Sequence, residues 1–185
     1  LSTVLCLILI LTIGVSHGSL DNIKGDRLFK IYNIQKSYLF YLAYILISLT
    51  VVFIWILLPS ITLVIFLIIA SYHFGKEDTE FLILDKSHFT EILYFFKGFL
   101  IILAPLHFHF LETIEIFKLL LVDNEIFYSS LAFIETNKVI QIGIIISSLS
   151  SVFLFFNNFE IKKFSIFLDY FSILIINYFL TPLIA

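Results

Sequence analysis

A succession of long apolar runs constrains this chain more than any other feature. They occupy residues 38–58, 61–72, 95–111, 139–156 and 164–180, with a further run at 4–15. A hydrocarbon layer about 30 Å thick takes about 20 residues of helix, because backbone groups in lipid have no water to bond and must pair within their own segment. The runs therefore predict an all-α chain, a polytopic integral membrane helical bundle of about six transmembrane helices. A water-soluble globule is excluded by the charges, which make up 14% of 185 residues against roughly 25% in soluble domains. They also cluster between the runs instead of alternating with apolar residues. A formal net charge of −3 offers no basic footprint for nucleic acid, and the single cysteine, Cys6, excludes a disulfide framework or a thiolate metal cage.

Pro59-Ser60 separates the second and third runs by a tight reversal, so these two form a predicted hairpin. With six spans, one side of the membrane collects Lys24, Arg27, Lys30, Lys36, Lys76, Lys86, Lys97, Lys162 and Lys163, and the other only Lys118 and Lys138. Lys and Arg accumulate in cytoplasmic loops, so the first side is assigned to the cytoplasm of a multi-pass protein of the cell (plasma or inner) membrane. Residues 1–16 lack the basic start of a secretory signal and run into Ser16-His17-Gly18, which is no small-x-small cleavage site. No internal repeat or long linker divides the chain, and residues 1–185 are expected to form one transmembrane domain. A first residue Leu1, the lack of Met and an apolar run reaching Ala185 suggest a fragment incomplete at both ends.

Ionisable side chains at the ends or inside of membrane helices are costly and mark candidate functional positions. His17, in Ser16-His17-Gly18-Ser19-Leu20-Asp21, and His73, in Ser71-Tyr72-His73-Phe74-Gly75-Lys76-Glu77-Asp78, share one grammar: a serine, a histidine, a glycine close behind, then an aspartate. Imidazole suits iron, copper or zinc, and Asp21 and Asp78 are candidates to orient the two rings by hydrogen bonds. The topology places His17 and His73 at one depth on the cytoplasmic side, where two ligands could converge. A polar helix end at headgroup level accounts for either motif taken alone. His88 reads as an exposed loop histidine. His107 and His109 follow Pro105; two residues apart on a helix they point about 200° from one another, so at most one lines a cavity. An interfacial cap explains them equally well.

The two histidine motifs, with the looser block Ala104-Pro105-Leu106-His107-Phe108-His109-Phe110-Leu111-Glu112-Thr113, resemble the Brp/Blh family of integral membrane β-carotene 15,15′-dioxygenases from about residue 14 onward. The resemblance implies oxidative cleavage of the central double bond of β-carotene by O₂ and Fe(2+) to two retinal molecules within the lipid bilayer. It matches His17 and His73 to the family's first two iron-ligand histidines. Ser19 stands where the family has Ala, and no Pro precedes His17. The family's other two ligands lie in a His-x-x-x-His-type motif, and this chain stops at Ala185 before such a pair. The 185 residues alone are therefore expected not to hold catalytic iron. Membrane desaturases need clustered histidine boxes that this sequence lacks. A transporter or binding protein using His17 and His73 as a metal or proton relay is the non-enzyme alternative.

Overall fold

A computed structural model describes residues 25, 27, 29, 31, 38–83, 87–120, 122–156 and 163–184. The described elements are helical: α1 (Tyr38–Leu57), α2 (Pro59–Glu77), a 3₁₀ turn (Glu80–Leu82), α3 (His88–Phe108), α4 (Phe110–Leu119), α5 (Glu125–Thr136), α6 (Val139–Phe156) and α7 (Phe164–Phe179). Among the described residues, four segments are long and apolar enough to cross a bilayer: Tyr38–Leu57, Pro59–Leu82, His88–Phe108 and Val139–Phe156. That is fewer than the six expected. The run at 164–180 yields only the 16 residues of α7, a rise of about 24 Å, and residues 4–15 lie outside the described residues. Several long apolar helices nonetheless place the chain in a membrane as a multi-pass protein.

Internal contacts divide the chain into two compact units after Leu57. In the first, α1 has a mean hydropathy of 2.4 and buries none of its residues. Ser48 and Thr50 turn their hydroxyls back onto the carbonyls of Tyr44 and Leu46, at 2.9 and 2.8 Å, which leaves an apolar outer surface.

In the second unit, local signals set the helix limits. Pro59 opens α2 at a position whose N–H has no helical partner anyway. Ser87 caps α3 by accepting from the Thr90 N–H, so the helix begins well before the apolar run at Phe95. Pro105 stands in the last turn of α3, and the chain turns at His109 to start α4. Asn124 caps α5 by accepting from the Phe127 N–H. The turn from α5 into α6 passes through Lys138 at φ 59°, a left-handed conformation. Beside it, the Tyr128 hydroxyl donates to the Val122 carbonyl; burial, then the Asp123 carboxylate, raise the phenol above its ordinary pKa and keep it a donor.

The central element is α3. Against it pack α2, α6 and α7, and 56% of its apolar window is buried, compared with 28% for α6 and 17% for α2. The axes alternate. Phe89 meets Phe153 near one end of α3 and Leu103 meets Gly143 near the other, so α6 runs antiparallel to α3. The pairs Lys97–Asp169 and Phe108–Tyr178 make α7 parallel to it. Lipid tails are as apolar as leucine, so association of such helices rests on close packing and interhelical hydrogen bonds. The closest approach is between α2 and α3: a Cβ on Gly75 would lie 1.9 Å from the Tyr94 carbonyl oxygen, and one on Gly98 1.9 Å from that of Ser71. Across the other face of α3, the Ser147 hydroxyl donates to the Lys97 carbonyl at 3.3 Å.

Gly75→Ala and Gly98→Ala are each expected to cost at least about 1–3 kcal/mol, because the obstructing atoms are backbone and the helices must separate. Gly143→Ala should cost less, since its nearest neighbour is the tip of the Leu103 side chain at 2.7 Å. Thermal unfolding in detergent, followed by circular dichroism, compares the three.

Candidate functional site

The stretch from Ser71 to Asp78 is helical through Glu77, and the helix sorts its residues by direction. Ser71 and Gly75 are buried against α3. His73 points elsewhere. Its side chain is 56% exposed, and Nε2 lies 2.8 Å from a carboxylate oxygen of Glu77 one turn on. The groove on this side is lined by Ile69, Tyr72, His73, Lys76, Glu77 and Glu80. Tyr72 donates to the Glu91 carboxylate, and the Lys76 ammonium reaches the Tyr72 oxygen at 2.9 Å and both Glu91 oxygens at 3.1 Å. This network joins α2 to the first turn of α3 beside the imidazole.

Asp78 does not touch His73. It caps α2 and faces Lys97, 3.6 Å away. Lys97 also donates to Asp169 of α7, so three helices contribute to one ionic cluster. The lysine is only 3% exposed and sits midway along α3. It is therefore no loop charge, and it drops out of the cytoplasmic count made from the sequence. An unpaired lysine at the centre of a membrane helix costs about 2.5–3.5 kcal/mol on insertion scales, and the two carboxylates offset that. The pairing has a sequence signal that loop counting passes over: a helix started by Ser87 carries Lys97 into its interior, and the last apolar run contains one acid, Asp169.

The remaining histidines lie apart. His88 is the exposed first residue of α3. His107 is exposed in the last turn, its ring 4.8 Å from that of Phe108. His109 stands between α3 and α4 with Nδ1 2.8 Å from the Glu112 carboxylate, while its Nε2 is shielded and has no hydrogen-bond partner among the described residues. His73 is level with the Tyr94–Gly98 turn of α3 and these two with its far end, so the structure does not bring them together. His17 and Asp21 lie outside the described residues.

Among the cavities of this unit, two adjoining ones measure about 200 and 460 Å³. The larger is walled by α2, α3, α4, α5 and α6 with apolar side chains and Gly143; both share Leu67, Ile102 and Phe117. The α2 wall of the large cavity is Val64, Leu67 and Ile68. Val64 and His73 are nine residues apart, which is half a turn out of phase, so the imidazole faces away from this cavity.

A model of the family described as beta-carotene 15,15′-dioxygenase matches residues 8–185. The chain belongs to that family. Neither the curated proteins nor the solved structures give a match. Iron is the metal that the sequence resemblance implies for such a dioxygenase, and the described residues do not make up a site for it. No three His, Cys, Asp or Glu side chains converge in a way that could hold a metal among them. His73 offers one imidazole, with Nε2 already engaged by Glu77.

Lys97→Met strands two carboxylates in the bundle and is expected to destabilise it by about 3–5 kcal/mol. The triple variant Lys97→Met, Asp78→Asn, Asp169→Asn should recover part of that loss. Unfolding midpoints of the single and triple variants in detergent check both statements.

Proposed function

We propose that this member of the dioxygenase family cleaves the central double bond of β-carotene with O₂ inside the membrane, giving two molecules of retinal. The observation that carries the proposal is that a model of this dioxygenase family matches residues 8–185 of a multi-pass helical chain. A polyene hydrocarbon dissolved in the bilayer reaches a protein embedded there without passing through water. The stoichiometry is complete: both atoms of O₂ end in the two aldehydes, and no further reductant is needed.

His17 and His73 are proposed as ligands of a ferrous ion. Their common motif and their match to the family pattern support the assignment. Asp21 is proposed to orient His17. At His73 the carboxylate in contact is that of Glu77, and Asp78 belongs to the cluster around Lys97. A carboxylate on one ring nitrogen fixes the orientation of a ligand imidazole and the nitrogen left free for metal.

Expression of the complete gene in bacteria that accumulate β-carotene tests the proposal. Loss of orange colour with formation of retinal is the expected outcome. His17→Ala and His73→Ala should abolish it, and Glu77→Ala should lower it about 10–100-fold. Retinal formation undiminished by both histidine substitutions refutes the site. No retinal from an intact, iron-replete protein refutes the reaction and favours the metal or proton relay.

A further inference from the structure

The helix α7 is short for the place it occupies. Its 16 residues rise about 24 Å, less than a hydrocarbon layer of about 30 Å. Yet it follows α3 from one end of the bundle to the other. In its first turn, Ile166 is buried in one cluster with Ile83, Leu93, Tyr94 and Leu154, which brings it beside the second turn of α3 and the last turn of α6. In its last turn, Tyr178 packs edge-on against Phe108, the final residue of α3, with ring centroids 5.6 Å apart. A bilayer that α3 crosses is therefore one that α7 crosses beside it.

The polar residues of α7 work against such a crossing, and the structure deals with them differently. Asn177 is buried and donates its amide to the Ile173 carbonyl at 2.9 Å, so its own helix satisfies it. Asp169 has no such recourse, because a carboxylate has no proton to give a carbonyl. Its side chain is 33% exposed, and without a partner its charge would face lipid. The cation it meets is Lys97, 3% exposed, which donates to it from α3. The two depend on each other unequally. The ammonium also faces Asp78, 3.6 Å away at the end of α2, and stays paired without α7. Away from α3, Asp169 loses Lys97.

We propose that α7 is a dependent membrane crossing: too short and too acidic to hold a transmembrane position alone, it is kept across the bilayer by the buried Lys97 ammonium. Acids inside membrane helices persist where they pair with a group on a neighbouring helix. In lipid, apolar surface gives two helices no reason to associate, and polar contacts between them supply one. Crossing is then a property of the pair and not of the segment. The inference stands apart from the reaction proposed above.

A membrane-impermeant maleimide, applied to the whole chain in sealed vesicles with Cys6 replaced by Ser, tests it. His88→Cys, at the start of α3, and Glu125→Cys, beyond its end, mark the two sides of the membrane, and Thr181→Cys follows α7. Thr181→Cys is expected on the Glu125 side. With Lys97→Met and Asp78→Asn added, it should move to the His88 side in most molecules. Adding Asp169→Asn to that variant should return it, since the acid that needed a counter-charge is gone. Asp169→Asn alone should leave it in place. Labelling of Thr181→Cys from the His88 side in the unsubstituted bundle means that α7 does not cross. Labelling that stays on the Glu125 side after loss of Lys97 means that crossing does not need the ammonium. A displacement that Asp169→Asn fails to reverse comes from general unfolding. Each of these three results overturns the proposal, and none involves carotenoid or iron.

Discussion

The second unit depends on the contact of two backbones where α2 crosses α3. Gly75 and Gly98 remove the side chains that would hold the helices apart, and each backbone comes against the carbonyls of the other. Water does not drive two apolar helices together inside lipid, so the favourable term is the packing that such an approach permits. The approach also sets the register. At this separation Asp78 reaches Lys97, and Tyr72 and Lys76 reach Glu91. A shift of one turn along either helix would break both sets of contacts.

The crossing divides the labour of α2. One face holds the bundle together, another walls the apolar cavities, and a third presents His73 with Glu77. Polar side chains and apolar cavity walls thus lie on different sides of one helix. The cavity wall stays without charges, so an apolar occupant leaves no buried polar group without a partner. The ionic groups instead meet one another, in the Tyr72–Lys76–Glu91 network and around Lys97.

The helical class and the membrane placement were legible because backbone in lipid has few options, and a run such as 139–156 reads the same in sequence and structure. Family membership was legible from Ser71 to Asp78. What those residues do was less so, because spacing does not reveal which helix lies opposite. Ser71 and Gly75 read as companions of a ligand histidine but pack against α3. Asp78 read as a partner for His73, yet the helix continues past the histidine and carries Glu77 to the ring instead. Lys97 was misplaced because hydropathy set the start of α3 near Phe95, while the Ser87 cap sets it at His88. A run of apolar residues also fixes no exact length, and so α7 ends short of a full span.

The cluster around Lys97 bears on how this chain is made. A segment with an unpaired lysine at its middle leaves the insertion machinery for lipid reluctantly. When α3 emerges from the ribosome, Asp78 has already been synthesised and is close in sequence, so an α2–α3 pair can move into the bilayer with the ammonium partly neutralised. The second acid, Asp169, follows 72 residues later. Its arrival completes the charge pairing on the side of α3 against which the last helix packs.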